Sequence, residues 1–277
     1  MIVSGLFIYP VKSAKGIQVD EMNFDSLGPL FDRRFMVIDE ENKMLTQREC
    51  PILATLKTRI NLEKEDLILS YQKKGKNEEE RMTVSLKETN YKNNLKIDIH
   101  VWRDNVEGIF CEEEVDLFIT EFLGRKARLV FTSKSRLRPI PQNEKQSMSF
   151  VDSSPLLIVS EESLVDLNKR LKRPITMDRF RPNIVLKGGR PFDEDDLVEY
   201  NMGEASLKNF KQCSRCIMIT IDQEKGVKSD TEPLKALKAL KALNSFRSHE
   251  EGVMFGVSAF NLNGKKIKKG DLIETKS

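Results

Sequence analysis

Short apolar runs separated by polar breaks dominate the first half of the chain. Residues 3–9 form one such run and end at Pro10, and residues 35–38 and 67–71 form two more. Residues 54–60 alternate apolar and polar side chains, which predicts a strand with one buried face. Runs of this length between turn residues are typical of antiparallel strands, so the pattern predicts a β-rich barrel or sandwich.

A helical segment follows these strands. Residues 112–123 are predicted to form a helix, and Gly124 follows as a normal C-cap. The charged tract at 72–81 predicts a solvated hairpin or loop. With 277 residues the chain exceeds one typical domain of about 100–200 residues. We therefore place a boundary just after the helix, which gives domains at 1–126 and 127–277.

The second half mixes strands and helices. Residues 155–159 and 184–186 predict buried strands, and residues 160–171 predict a helix that begins with a serine cap. Residues 232–243 carry a Lys-Ala-Leu repeat with a proline near its start, which predicts another helix. The segment 263–267 begins with Asn-Gly, a hairpin turn signal. The predicted fold class is therefore a mixed, β-rich α+β fold.

Composition and charge argue against two broad classes of protein. The 46 Lys and Arg residues nearly balance the 43 Asp and Glu residues, for a net charge of +3, which is unlike a dedicated nucleic-acid binder. The start of the chain lacks a signal-peptide pattern, and no run approaches the ~20 apolar residues of a membrane span. We expect a cytoplasmic protein with no nucleic-acid or membrane partner, whose four cysteines stay reduced.

Two of the four cysteines lie close together, in the segment Cys213-Ser214-Arg215-Cys216. A neighbouring guanidinium stabilises a thiolate, the form that attacks electrophiles or binds soft metals. The same spacing also occurs in zinc sites, in redox dithiols and in pairs of buried structural cysteines. The other two cysteines and the two histidines form no cluster with this segment that would complete a zinc site. Structural cysteines remain the main alternative.

Polar and cationic residues also cluster at the ends of predicted strands. Lys12 and Ser13 follow the first strand, where a proline turns the chain, and such a pair can hold a phosphate. Arg181 and Asn183 lie just before an apolar strand; arginine suits phosphate, and asparagine can bind the edge of a heterocycle. Arg33 and Arg48 add cations, for which surface salt bridging is the simplest interpretation. Two further hydroxyls before a strand are Ser153 and Ser154.

Taken together and in this order, these motifs resemble the MOSC family, named for the molybdenum cofactor sulfurase C-terminal domain, and within it the amidoxime-reducing component type. Residues 8–51 are similar to that family's N-terminal β-barrel domain. Residues 152–271 are similar to the MOSC domain itself. The resemblance implies an N-terminal β-barrel domain followed by a MOSC β-barrel domain with peripheral helices.

The resemblance also implies a role for each matching residue. Cys216 would be the catalytic residue and the thiolate ligand of molybdenum, while Cys213 would be structural or auxiliary. The cofactor would be molybdenum bound to molybdopterin. Its pterin and phosphate would be held by Lys12, Ser13, Arg33, Ser153, Ser154, Arg181, Asn183, Ser214 and Arg215.

The reaction that the resemblance implies is the reduction of a small N-hydroxylated compound, such as a hydroxylamine, amidoxime or N-oxide, to the amine or amidine. The cofactor supplies the difficult chemistry, and the protein supplies orientation and electrostatics. The sequence shows no flavin, haem or iron–sulfur motif, so we expect a separate electron-donor protein of flavin, haem or ferredoxin type. One rival is a module that carries the cofactor or transfers sulfur without turnover. Another is a scaffold without cofactor.

Overall fold

The computed structural model describes residues 1–73, 75, 77–91, 95–140, 142–229, 234–235 and 252–275. Two α-helices lie within these residues, α1 (Glu113–Leu123) and α2 (Glu161–Asn168). Short 3-10 segments occur at Pro51–Thr55, Glu88–Asn90, Met177–Arg179, Asp193–Asp196 and Ile217–Thr220. Most of the remaining regular structure is strand, which confirms the β-rich α+β class.

The strands are short, and many contain only two to five residues. In chain order they are β1 (Ile2–Ile8), β2 (Ile17–Val19), β3 (Glu21–Met22), β4 (Phe24–Asp25), β5 (Gly28–Pro29), β6 (Phe35–Ile38), β7 (Lys57–Asn61), β8 (Asp66–Gln72), β9 (Glu79–Ser85), β10 (Lys96–Val101), β11 (Asp104–Phe110), β12 (Arg128–Thr132), β13 (Arg138–Ile140), β14 (Asn143–Met148), β15 (Leu156–Ser160), β16 (Ile184–Lys187), β17 (Glu199–Met202), β18 (Ala205–Arg215), β19 (Ile221–Asp222), β20 (Val227–Lys228), β21 (Val253–Asn261), β22 (Ile267–Lys268) and β23 (Ile273–Thr275).

The largest sheet has eight strands in the order β2-β1-β16-β15-β21-β18-β17-β23. β15 and β16 run parallel, and the other neighbours are antiparallel. β1 lies inside this sheet, with Leu6 opposite Val19 on one side and Ile184 on the other. The first strand therefore completes a sheet built mainly from the second half of the chain. The boundary after residue 126 stays a prediction.

The first half contributes two further sheets, β10-β11-β12-β6 and β7-β8-β9. The charged tract at 72–81 spans the turn of the β8–β9 hairpin, as predicted. Helix α1 packs on these sheets, where the rings of Phe118 and Tyr71 lie 5.0 Å apart. Phe35 and Phe131 belong to the same apolar cluster, and their rings meet edge to face at 5.0 Å. A second cluster fills the space against the large sheet.

The two helices begin and end as their sequences predict, with one difference. Acidic residues in the first turn of α1 favour its N-terminus, and Gly124 ends it in the left-handed conformation, with φ 65°. The Ser160 side chain caps α2 by accepting a hydrogen bond from the Ser163 amide. α2 ends at Asn168 rather than near Leu171, because residues 169–171 form tighter turns. No helix in the described ranges is long and apolar enough to cross a membrane.

Two local predictions are wrong. The strand predicted at 54–60 starts only at Lys57, because the 3-10 segment Pro51–Thr55 buries two of its apolar residues in a turn. The turn before Ile267 is present, but Ile267 pairs with Met22 on β3 instead of closing a hairpin with β21. Apart from residues 234 and 235, the helix predicted at 232–243 lies outside the described residues.

Leu6→Ala is expected to lower the free energy of unfolding by about 2–5 kcal/mol, because Leu6 is completely buried between two neighbouring strands. Ile2 on the same strand is 37% exposed, so Ile2→Ala should change it by less than about 1 kcal/mol. Urea unfolding followed by circular dichroism measures both. Equal losses in the two variants would contradict the placement of β1 inside the sheet.

Candidate functional site

A cavity between the two halves of the chain collects all ten residues that the resemblance implicates. Its empty volume, including the open mouth, is about 880 Å³. The implicated residues in its lining are Lys12, Ser13, Arg33, Ser153, Ser154, Arg181, Asn183, Ser214, Arg215 and Cys216. Whether each of them contacts a cofactor stays a prediction.

The lining residues lie at or near the ends of strands, and several have unusual backbone conformations. Ser13, Arg33 and Arg181 adopt φ values of 71°, 47° and 55°. The left-handed region costs a residue with a side chain about 1–2 kcal/mol. Such residues persist only where the surroundings enforce the conformation, and they concentrate at functional sites. Three of them around one cavity mark it as a candidate site.

The buried carboxylate of Asp32 organises the inner end of the cavity. Its Oδ1 accepts hydrogen bonds from the Tyr9 amide at 2.8 Å and from Asn183 Nδ2 at 3.1 Å, while Oδ2 accepts one from Arg33 Nη1 at 2.6 Å. Asn183 Oδ1 in turn accepts from Arg33 Nη1 at 3.1 Å and from the Leu157 amide at 3.2 Å. The Asn183 side-chain amide is therefore hydrogen-bonded to other protein groups, and it holds Arg33 and β15 in place.

Two guanidinium groups lie against the ring of Tyr9. The central carbons of Arg33 and Arg181 are each 4.3 Å from the ring centroid, in the range of a cation–π interaction. Tyr9 Oη donates to the Pro182 carbonyl at 3.0 Å, and burial raises the pKa of Tyr9 to about 12. Burial also lowers the pKa of Arg181 to about 10. Tyr9 is therefore neutral, and its ring packs against both guanidinium groups.

Lys12 and Asp152, which both line the cavity, form an ion pair. Lys12 Nζ donates to the Asp152 carboxylate and, at 2.8 Å, to the Phe150 carbonyl. Burial lowers the pKa of Lys12. Burial alone would raise the pKa of Asp152, but the nearby Lys12, Arg48 and Arg33 cations outweigh it and hold that pKa well below its usual range. Asp152 is therefore a carboxylate at neutral pH.

Cys216 lies exposed at the mouth of the cavity, directly after β18. Arg48 Nη2 donates to its sulfur at 3.2 Å, and the Arg48 side chain is only 22% exposed. Arg48 does form an ion pair, with Asp152 at 3.9 Å, but the prediction that it lies at the surface was wrong, because it lines the cavity and also contacts a thiol 168 residues away in sequence. Cys213 also lines the cavity, and both thiols are free. No group of three or more His, Cys, Asp or Glu side chains in the described residues is placed to share a metal ion.

Two backbone carbonyls hold the Arg215 side chain in place. Its Nε donates to the Phe255 carbonyl at 2.8 Å, and its Nη1 donates to the Phe180 carbonyl at 3.2 Å. Gly256, next to Phe255, has φ 74°, and a Cβ there would lie 2.6 Å from the Ile158 carbonyl oxygen. Only glycine allows the backbone of β21 to pass this close to β15, which places Arg215 at the cavity.

Three guanidinium nitrogens around the cavity are buried and have no hydrogen-bond partner within the described part of the chain: Arg48 Nη1, Arg181 Nη2 and Arg215 Nη2. A buried donor without a partner costs about 1–3 kcal/mol, and more if it is charged. The cavity lining also contains six cations against one carboxylate, Asp152; the cations are Lys12, Arg33, Arg48, Arg179, Arg181 and Arg215. The cavity is therefore built for an anionic ligand, and a pterin with a phosphate fits this donor set.

Comparisons with known proteins give a consistent result. A family model described as the MOSC N-terminal beta barrel domain matches residues 1–126, and one described as the MOSC domain matches residues 145–274. The human mitochondrial amidoxime-reducing component 1 is 33% identical over 84% of this chain and 70% of its own length. The bovine mitochondrial amidoxime reducing component 2 gives the same identity and coverage.

A third relative has a different name. The molybdenum cofactor sulfurase of Oryza sativa subsp. japonica is 30% identical over 97% of this chain. The chain spans about a third of that protein, since the match covers 33% of its length.

Asp152→Asn is expected to lower the free energy of unfolding by about 0.5–1.5 kcal/mol at neutral pH, a modest loss because the Asp152 side chain is half-exposed. The pKa of Asp152 is depressed in the folded protein. Its contribution is therefore present above the unfolded-state pKa of about 3.9 and is lost as the pH falls further. Urea unfolding of both proteins across this range measures the difference.

The matched control is Asp98→Asn, since Asp98 is 70% exposed and paired with Arg136 at the surface. This substitution should change the free energy of unfolding by less than about 0.5 kcal/mol. A difference between wild type and Asp152→Asn that grows as the pH falls below about 4 would contradict the ion pair.

Proposed function

The chain belongs to the MOSC family, and we propose that it is a molybdenum-cofactor-dependent oxidoreductase that reduces N-hydroxylated compounds. Its substrates would be hydroxylamines, amidoximes or N-oxides, and its electrons would come from a separate protein of flavin, haem or ferredoxin type. The human and bovine relatives, named amidoxime-reducing components, support this proposal because they match over 84% of the chain.

One observation carries the proposal. An exposed thiol, Cys216, lies at the mouth of a cavity where three buried guanidinium nitrogens have no hydrogen-bond partner among the described residues. Guanidinium groups bind phosphate with paired hydrogen bonds, and thiolates bind soft metals. A ligand with a phosphate at one end and a thiolate-binding metal at the other satisfies both ends of this cavity. Molybdopterin-bound molybdenum is such a ligand.

Different residues would bind the two ends of this ligand. Arg33, Arg181 and Arg215 would hold the pterin and its phosphate, together with Lys12 and the nearby serine hydroxyls. Cys216 would supply the thiolate to molybdenum. When bound, the cofactor supplies a two-electron metal centre that can take the oxygen atom of an N–O bond. The overall change consumes two electrons and two protons and yields water and the amine or amidine.

The chain's own groups prepare the metal-side end for this reaction. Arg48 Nη2 donates to the Cys216 sulfur at 3.2 Å and so fixes the position of the thiol at the mouth. Asp152 orients Lys12 and, at 3.9 Å, attracts Arg48. Because its pKa is held well below the usual range, Asp152 does not act as a proton donor at neutral pH. The two protons reach the reaction from solvent through the open mouth, where Cys216 is exposed.

The second candidate function is that of a module that carries the cofactor or transfers sulfur without turning over a substrate. The rice relative favours it, because that protein is named molybdenum cofactor sulfurase and matches 97% of this chain. Both candidates require the same cavity and the same thiol. They differ in one outcome, since only the oxidoreductase reduces an N-hydroxylated compound when a chemical electron donor is supplied.

Cys216→Ala is expected to lower kcat/KM for benzamidoxime reduction by more than ~100-fold, since loss of even an outer-shell partner of a metal ligand costs about 10–100-fold. The measurement uses cofactor-loaded protein, a chemical electron donor and chromatographic detection of benzamidine. Cys213→Ala is the matched control and should keep most of the activity. Full activity of Cys216→Ala would refute the assignment of this thiol, while metal-loaded wild type without turnover would favour the carrier.

A further inference from the structure

The chain's single tryptophan contacts two residues of the cavity lining, Arg48 and Asp152, and so lies beside the cavity. Trp102 is the first residue of the two-residue turn between β10 and β11, where Val101 pairs with Asp104. Its φ is 59°, in the left-handed region that disfavours a bulky residue. Its side chain is 47% exposed. Core packing explains neither the left-handed backbone nor the half-exposed indole, which points to a functional reason for Trp102.

Two contacts fix the indole next to the reactive end of the cavity. Trp102 Nε1 donates to Asp152 Oδ1 at 3.3 Å. The guanidinium carbon of Arg48 lies 4.6 Å from the ring centroid, and Arg48 also donates to the sulfur of Cys216. One face of the indole therefore contacts Arg48, and its N–H edge is held by Asp152. The indole is 47% exposed, so part of its surface is available to a ligand at the mouth.

The carboxylate of Asp152 offers a hydrogen-bond acceptor at the same place. Its Oδ1 is used by Lys12 and Trp102, whereas its Oδ2 lies 3.9 Å from Arg48, beyond hydrogen-bond distance. The side chain is 46% exposed, so a ligand at the mouth can reach Oδ2. The other charged side chains among the described lining residues are cations, so this carboxylate oxygen selects a group that carries N–H donors.

We propose that Trp102 and Asp152 form a subsite for the organic part of the substrate, and that this subsite selects flat aryl or heteroaryl amidoximes. The inference rests on the proposed function and names its substrate class. The aryl ring stacks on the outer face of Trp102, and the amino group of the amidoxime donates to Asp152 Oδ2. The N–OH group then turns toward Cys216. Amidoximes are uncharged at neutral pH, which suits a rim that also carries Arg48.

The test begins with binding, measured through Trp102 itself. Because the chain has a single tryptophan, its tryptophan emission reports on this rim alone. The full chain is titrated with benzamidoxime, which has the ring, and with acetamidoxime, which has the same head group without the ring. We expect saturable changes in emission and a roughly 3- to 10-fold tighter binding of benzamidoxime, the range for one stacking contact. Equal affinities would overturn the subsite.

Variants test the same preference in cofactor-loaded protein. Trp102→Ala should lower the ratio of kcat/KM for benzamidoxime to that for acetamidoxime by roughly 3- to 10-fold, and Trp102→Phe should keep most of the ratio. Calorimetric titration of both variants gives the corresponding affinities without turnover. Leu117→Ala, at a 63% exposed position on α1, is the control and should leave the ratio unchanged. An unchanged ratio in Trp102→Ala would overturn the proposal.

Two outcomes separate this subsite from the proposed function. Tighter binding of benzamidoxime without reduction of either probe would support the subsite and overturn the oxidoreductase. Reduction of both probes with equal efficiency, and with no effect of Trp102→Ala, would overturn the subsite and leave the oxidoreductase intact.

Discussion

The site depends first on one buried carboxylate. Asp32 is 1% exposed, and it accepts hydrogen bonds from the Tyr9 amide, the Arg33 guanidinium and the Asn183 amide group. A buried charge is costly unless it is paired and hydrogen-bonded, so these three partners are held to one point. Tyr9 lies at the end of the first strand and Asn183 lies just before β16. Asp32 therefore joins the beginning of the chain to its second half at the cavity.

The cations of the cavity lie close together in its lining. Arg33 and Arg181 lie against Tyr9, Lys12 pairs with Asp152, and Arg48 reaches the sulfur of Cys216. Like charges this close together repel one another, and Arg48 Nη1 and Arg181 Nη2 have no hydrogen-bond partner among the residues that the structure describes. An anionic ligand removes both penalties at once. The arrangement therefore lowers the stability of the empty protein and raises its affinity for an anion, a trade that is typical of binding sites.

Local sequence patterns predicted those helices and strands that are determined by residues close together in the chain. The strand at 35–38 and the helix before Gly124 follow from apolar periodicity and capping. The candidate site residues could be found because they lie beside strand ends in recognisable motifs. By contrast, the pairing of β1 with β16, and the contact between Arg48 and Cys216, join residues more than a hundred positions apart. No local pattern carries such information, so Arg48 was interpreted as a surface cation, and Trp102 was not considered.

We propose that this cavity holds a molybdenum cofactor. The most direct measurement is the molybdenum and pterin content of the purified full chain, expressed in a host that makes the cofactor. We expect near-stoichiometric amounts of both per chain, released together on denaturation. Folded protein that contains neither molybdenum nor pterin, although the host supplies the cofactor to another molybdoenzyme expressed in parallel, would contradict it.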